Sequence, residues 1–456
     1  MGYLEKIYDR SPIFFQNFMT STLGFIQKKQ RYGKEYFEHL KYLEDFNRLS
    51  YARKSEIQFK MFKQFITDAK NNSPLYAELY KDIDLDTINS FEDAKKLPFV
   101  DKEILRSNID KVYTIPKKGA VLGFTGGTTG KALCVRFTRE DFERRMAALD
   151  SFKSRHGFDN LQMKKATFNG KSLVPVSQKE KIFWRYNAPC KQMMYSTFNI
   201  TEENLKYYVE SLNRFKPVAI DGFFMAMCDV ASYIERNNLK LTFKPVAIFP
   251  TSETITDGGR ELLERVFGCK VYNQYASSEG APFVTECRCG RLHLDMASGY
   301  IEEIDPQTHE VAVTSFTTHG TPLIRYKIGD CIKLSAGTSC ECGAESVIAE
   351  SIDGRKMSYL YSSDGAKISE ANISNMFKHI PPSIIHTQAV QNEIGVVELY
   401  MVTDEKSYKK EYEKILYEEF YSRFGKDSTL NIHYVDSIPR ASSGKFRLVV
   451  NNVDKG

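Results

Sequence analysis

No segment of this 456-residue sequence is apolar for long enough to span a bilayer, and no basic stripe marks a nucleic-acid face. The net charge is only +5, with Lys and Arg scattered among Asp and Glu, which is compatible with anionic small ligands and gives nucleic acid little support. A secretory signal is also missing. Met1 to Arg10 carries both signs of charge, and Lys6 stands where an N-myristoylation pattern requires Ser or Thr. Nine cysteines, an odd number without a signal, argue for reduced thiols over a disulfide framework, so a cytoplasmic protein is expected. The least charged run, Ser11 to Gln27, is too short and too interrupted by Gln16, Asn17, Thr20, Ser21 and Thr22 to cross a membrane. Its expected form is an amphipathic helix packed on its own domain, with peripheral contact to a membrane surface as the alternative.

What is present is the composition of an ordinary folded protein, 42% hydrophobic and 27% charged, at a length that implies more than one domain. Apolar residues at helical spacing from Tyr51 to Tyr80, broken at Asn71-Asn72-Ser73-Pro74, make residues 1–110 mainly helical. Short β-branched or aromatic runs then alternate with helical patterns. Ala120 to Phe124, Val218 to Ile220, Val246 to Phe249 and Val271 to Tyr275 read as strands of parallel βαβ units, with Glu203 to Phe215 and Gly258 to Phe267 as helices. Residues from about 285 to 352 are strand-rich, and a boundary near Asp353-Gly354-Arg355 precedes a tail of β-α-β-β-α-β character. The fold class is therefore α/β, with a large N-terminal domain over 1–352 and a small α+β domain over 353–456.

The run Gly123-Phe124-Thr125-Gly126-Gly127-Thr128-Thr129-Gly130-Lys131 has the chemistry of a phosphate loop: close backbone N–H groups, hydroxyls and a terminal cation. It is not the P-loop of common NTPases, because Thr125 and Ala132 occupy positions that motif reserves for Gly and for Ser or Thr. A polar hairpin turn is the other reading of the same residues. Downstream, Asn273-Gln274-Tyr275-Ala276-Ser277-Ser278-Glu279-Gly280 follows a predicted parallel strand, where a carboxylate beside phosphate would coordinate magnesium. Asp330 follows a turn, and Pro439-Arg440-Ala441-Ser442-Ser443-Gly444-Lys445 carries a lysine on a Gly-containing loop near the end.

In this order and at these separations the four segments resemble the AMP-forming adenylate-forming superfamily over nearly the whole chain. The nearest likeness is the phenylacetate–CoA ligase branch, including its capsular-polysaccharide-cluster members. Leu97 to Arg106 is similar to that branch's L-P-[FV]-x-x-K-x-x-[LI]-R segment, and Tyr8 to Ile13, Phe183-Trp184-Arg185 and Ile220 to Phe223 resemble the capsule-type members. The resemblance implies ATP, Mg2+ and coenzyme A as ligands and a small-molecule carboxylic acid as substrate. Thr125, Gly126, Gly127, Thr129, Gly130 and Lys131 would wrap the ATP phosphates, and Thr128 with Glu279 would hold magnesium. Ser252, Glu253, Asn273, Tyr275 and Ser278 would border the nucleotide, Asp330 its ribose, and Arg355 would contact it at the domain boundary. Lys445 would bridge carboxylate and α-phosphate, so Lys445, Thr128 and Glu279 form the implied catalytic set. Gly222, Phe223 and Phe224 are the expected wall of the acyl pocket. Lys171 and Arg185 are further candidates for meeting a polar substrate.

The segment Gly354-Arg355-Lys356-Met357-Ser358 lacks the acidic residue usual after Gly-Arg, which keeps a second acceptor open: an amine or hydroxyl in surface-polysaccharide synthesis instead of coenzyme A. A non-catalytic nucleotide-binding protein is the third reading. Separately, Cys287-Arg288-Cys289-Gly290 and Cys340-Glu341-Cys342-Gly343 form matched knuckles, read as a four-sulfur structural zinc site with His293 outside the ligand set. A homodimer is the default expectation for oligomeric state.

Overall fold

The computed structural model describes residues 3–124, 133–175, 178–355, 359–377, 380, 383–404, 407–440 and 446–453. Two compact units divide the chain, neither continuous in sequence: Met1–Thr22, Leu161–Val271 and Asp353–Gly456 make one, Leu23–Asn160 and Tyr272–Ile352 the other.

In the second unit the early part of the chain is helical. Helix Tyr51–Asn72 is capped by the Ser50 side chain, which accepts from Arg53 N–H, and buries Gln58, Phe62, Phe65, Ile66 and Ala69, the spacing that puts one stripe inward. Pro74 then opens the next helix, Pro74–Leu79, at a position where its missing N–H costs nothing. Phe62, Phe65, Ile66 and Tyr76 share a core with Val313, Leu323, Ile324 and Tyr326 of a seven-stranded sheet. Its strand order is Gly299–Asp305, Glu310–Ser315, Leu323–Leu334, Ile348–Arg355, Leu292–Leu294, Val284–Glu286 and Gln274–Tyr275. Two hydrogen bonds tie the helices to this sheet, Gln58 Nε2 to Gly299 O at 2.7 Å and Tyr76 OH to Pro322 O at 2.8 Å.

The first unit holds a six-stranded sheet in the order Trp184–Asn187, Gln192–Ser196, Lys165–Asn169, Ala219–Phe223, Ala247–Thr251, Lys270–Val271. All neighbours are parallel except the first pair. Helices Glu202–Phe215, Phe224–Arg236 and Asp257–Phe267 connect its strands, as the alternating pattern predicts. The chain steps outward from Lys165–Asn169 in one direction and returns to its other side with Ala219–Phe223, so the crevice at their carboxyl ends is a topological switch point. Residues after 353 build a four-stranded sheet, Thr429–Tyr434, Val396–Thr403, Ile384–Glu393 and Val449–Asn451, with Leu360, Ile373, Leu399, Leu416, Phe420 and Phe424 in its own core.

Three expectations are corrected. Val121–Phe124 is not part of a parallel sheet; it pairs antiparallel with Cys134–Phe137, so the glycine-rich run joins two arms of a hairpin. Val271 to Tyr275 is not one strand. Lys270–Val271 closes the parallel sheet, whereas Gln274–Tyr275 is the antiparallel edge of the other, because Asn273 N–H and C=O engage Glu286 instead of continuing the first ladder. Glu279 therefore follows an antiparallel edge strand, not a parallel one. The helix Ile13–Arg31 also departs from the packed amphipathic form: Gln16 is buried while Phe14, Phe18, Leu23, Phe25 and Ile26 are exposed. Among the described residues no helix is long and apolar enough to cross a membrane.

Candidate active site and metal cluster

Within the first unit the carboxyl ends of three parallel strands meet. Gly222 sits at φ +125° directly across from Phe168, and a Cβ there would lie 1.9 Å from Phe168 O, so only glycine lets these strands approach. Phe223 ends its strand buried and Phe224 is fully buried with its ring against Gly259; both belong to one core cluster. Beside them Ser252 directly follows strand Ala247–Thr251 in the left-handed region at φ +68°, a conformation non-glycine residues hold only where the surroundings impose it. Glu253 next to it has both oxygens engaged: one accepts Met225 N–H at 2.9 Å, the other Phe446 N–H at 3.1 Å.

That second bond brings the chain end to this crevice. Arg440 and Phe446 are the described residues on either side of 441–445, and each is anchored to the parallel-sheet body. Arg440 pairs with Asp229 at 2.5 Å, and Asp229 also lies 3.2 Å from His386 Nε2. Burial pulls His386 below the ordinary histidine range against the opposing pull of Asp229, and its ring stacks on Phe446 at 5.1 Å. Sequence reading gave Asp229, His386 and Arg440 no role of their own. Asp229 had no signal, being the one acidic residue among the mostly apolar buried positions of its helix. Lys171 is exposed, and Arg185 is corrected: its buried guanidinium is consumed by Gln16, Gln178 and the carbonyls of Ile182 and Trp184, leaving nothing for a substrate.

Within the second unit the Ser277–Ala281 turn is locked from below. Ser277 Oγ accepts the N–H groups of Gly280 and Ala281 at 3.2 and 3.0 Å. Arg145, also missed by sequence reading, donates to Gly280 O, Ala281 O and Thr317 Oγ1 at 2.8, 3.1 and 3.0 Å; burial pulls its pKa down to about 10. Glu279 in this turn is only 2% exposed, and Gly123 passes so close that a Cβ would lie 2.8 Å from Ser278 O. The hairpin arm and the Ser278-Glu279 turn are thus adjacent. Tyr275 OH donates to Asp330 Oδ2 at 2.7 Å, joining two residues 55 apart that were expected to share a nucleotide. Thr125, Gly126, Gly127, Thr128, Thr129, Gly130, Lys131 and Lys445 lie outside the described residues, as does the side chain of Arg355, whose backbone ends strand Ile348–Arg355.

The cysteine knuckles meet as well, with one change of member. Cys287, Cys340, Cys342 and His293 place their ligand atoms within 4.8 Å of one another; Cys289 is exposed and outside the group. The two turns share one backbone pattern, Gly290 N–H to Cys287 O and Gly343 N–H to Cys340 O, both 2.9 Å, and His293 on strand Leu292–Leu294 brings its Nε2 to 3.6 Å from Cys342 Sγ. Burial pulls the His293 imidazole down to about 4, so it is neutral.

A model of the CapK C-terminal domain matches residues 360–452. Protein CapK of Staphylococcus aureus is 38% identical over 453 residues, covering 99% of this chain and 100% of that protein. Phenylacetate-coenzyme A ligase of Pseudomonas putida is 25% identical over 316 residues, 62% of this chain and 67% of the ligase. Among solved structures, 2-hydroxyisobutyryl-CoA ligase in a postadenylation state with R3-HIB-AMP superposes with a TM-score of 0.72 at 16% identity, covering 90% of this chain and 92% of that one, a likeness of fold.

Proposed function

Because the chain belongs to the CapK-like branch of the adenylate-forming ligases, we propose that it activates a small carboxylic acid with ATP and passes the acyl group to coenzyme A. In the first step a carboxylate oxygen attacks the α-phosphorus; the new P–O bond forms as the bond to pyrophosphate breaks, giving acyl-AMP. In the second, the thiol of coenzyme A attacks the acyl carbon, AMP leaves, and the thiol proton passes to solvent.

The observation that carries this reading is the anchoring of Arg440 to Asp229 and of Phe446 to Glu253. Lys445 immediately precedes Phe446 in the sequence, and Phe446 N–H is bonded to Glu253 in the crevice of Gly222 and Ser252, from which Lys445 would reach the α-phosphate. A cation there stabilises charge that grows on the α-phosphate in the transition state, the term that usually dominates such catalysis. Asp229 and His386 are positioning residues, acting through Arg440. Magnesium fits Glu279, a hard oxygen donor shielded from bulk water on a turn that Ser277 and Arg145 hydrogen-bond. Glu279 with Thr128 would hold it, and when bound it would offset phosphate charge and stabilise departing pyrophosphate. Gly222 and Phe223 would border the acid, Tyr275 and Asp330 the nucleoside. The small domain over 353–456 would move between the two steps.

Hydroxylamine-trapped pyrophosphate release over a panel of aryl, fatty, amino and sugar acids tests the reading. Release with a subset of acids, abolished in Lys445→Ala, is expected, and without hydroxylamine continued turnover to AMP should require coenzyme A. Turnover indifferent to coenzyme A but dependent on an amine or hydroxyl would replace the acceptor; no release for any acid despite ATP binding would refute adenylation.

A further inference from the structure

The knuckle cluster has the dimensions of a metal site. Cys287 Sγ and Cys340 Sγ are 3.8 Å apart, and Cys342 Sγ and His293 Nε2 are 3.6 Å apart. Tetrahedral zinc, with Zn–S about 2.3 Å and Zn–N about 2.0–2.1 Å, requires separations of about 3.8 Å between sulfurs and about 3.6 Å between sulfur and nitrogen. A disulfide between the first pair would need about 2.05 Å. The surroundings also favour thiolates: Cys289 N–H points to Cys287 Sγ at 3.4 Å and Cys342 N–H to Cys340 Sγ at 3.5 Å. Behind the imidazole, His293 Nδ1 is 2.8 Å from Ser346 Oγ, a partner that fixes the ring with Nε2 facing the sulfurs.

We propose that Cys287, His293, Cys340 and Cys342 hold one structural zinc ion, and that Cys289 serves only through its backbone. The ion has a definite mechanical task. Cys287 directly follows strand Val284–Glu286, and Glu286 grips Asn273 twice, its carboxylate accepting Asn273 N–H at 2.7 Å and its own N–H bonding Asn273 O at 2.9 Å. Strand Gln274–Tyr275 is a two-residue edge with one neighbour, so its position depends on that grip. Zinc pins the strand end to the Cys340–Gly343 turn, and through Glu286 the whole edge.

Zinc measured by plasma mass spectrometry in the full chain should be about one ion per molecule, retained in Cys289→Ser and lost in Cys340→Ser and in His293→Ala. Removing zinc from the unmodified protein with a chelator, which avoids a variant that fails to fold, should speed amide hydrogen exchange over residues 272–288 and leave 384–403 unchanged. Absence of zinc after reconstitution, or loss of zinc in Cys289→Ser equal to that in Cys340→Ser, would overturn the site. Unchanged exchange at 272–288 would overturn the pinning. None of these readouts depends on nucleotide or on turnover.

A different observation concerns helix Ile13–Arg31, whose polar side faces the protein. Asn17 Oδ1 accepts Tyr186 N–H at 2.8 Å, Ser21 Oγ accepts Ala188 N–H at 3.1 Å, and Gln16, 2% exposed, donates to Tyr8 O and Ser11 O. The aromatic side faces out, with Phe14 75% and Phe18 63% exposed, and Phe25 following on the same stripe. No acidic residue occurs from Ser11 to Lys34, while Lys28, Lys29 and Arg31 close the helix and Lys29 Nζ sits 4.6 Å from the Phe25 ring centroid. Exposed rings on a helix that carries no acidic residue and ends in cations match an anionic lipid surface. We infer that this helix docks on anionic membrane. The full chain should sediment with vesicles containing phosphatidylglycerol, and binding should fall at least tenfold with pure phosphatidylcholine, at high salt, or in the triple variant Phe14→Ser, Phe18→Ser, Phe25→Ser. No sedimentation with either vesicle would overturn the inference. So would a dimer in sedimentation equilibrium that the same triple variant dissolves without any vesicle binding, which assigns the face to a second copy.

Discussion

Asp229 illustrates how a single carboxylate can organise a site it does not belong to. It is buried, pairs with Arg440 and faces His386, and removing its charge leaves a shielded guanidinium without its partner, a change that costs far more than the pair contributes when intact. Asp229→Asn should lower kcat for pyrophosphate release by about tenfold or more, a loss of at least about 1.4 kcal/mol in the transition state, with KM for ATP little changed. A Tm lowered far enough to leave the variant unfolded at the assay temperature would assign the loss to unfolding instead, which also lowers apparent kcat at constant KM. A second residue-scale effect is acid sensitivity. Burial, aided by Arg144, pulls His39 down to about 4, and its Nε2 has no hydrogen-bond partner among the described residues. Above about pH 6.5 the imidazole is neutral folded or unfolded and contributes nothing; between about 6.5 and 4 only the unfolded chain takes the proton, so stability falls by up to about 1.4 kcal/mol per pH unit. Urea denaturation across that window should show the loss in the native sequence and a shallower one in His39→Gln.

Elements explain which parts of the site sequence could foretell. The glycine-rich run, the Ser-Ser-Glu turn and the Asp after Gly329 were visible as residue types, because phosphate, metal and hydroxyl recognition restrict chemistry. Their settings were not. Whether Gly123 leads into a helix or a hairpin depends on pairing with Cys134–Phe137, and β propensity from Val271 to Tyr275 is blind to a chain that changes sheets at Tyr272. The doubled Cys-x-Cys-Gly suggested symmetric ligation, whereas side-chain direction within each turn is settled by what lies opposite. Gly222 shows the reverse, a residue legible only as one member of a resemblance whose necessity is geometric. Gly222→Ala should cost about 3 kcal/mol or more, from both the positive φ and the collision with Phe168 O. Gly157→Ala, also at positive φ but with no neighbour within 4 Å, should cost only about 1–2 kcal/mol. Similar losses for the two would remove the steric argument.

At the scale of the molecule, residues 353–456 contact the parallel-sheet body yet own a separate core of Leu360, Leu399, Met401, Leu416 and Phe420. Expressed alone, this segment should unfold cooperatively with heat, and a featureless melt would show that its core needs the rest of the chain. The other unit carries a different consequence. Phe62, Phe65 and Tyr76 are buried by strands that lie far along the sequence; Tyr76 bonds Pro322, 246 residues away. On a ribosome adding about 5–20 residues per second, the apolar stripe of helix Tyr51–Asn72 leaves the exit tunnel on the order of tens of seconds before its cover exists. For that interval the nascent chain presents bare aromatic surface, and the yield of native protein should rise when translation is accompanied by a holdase chaperone or slowed initiation keeps neighbouring chains apart.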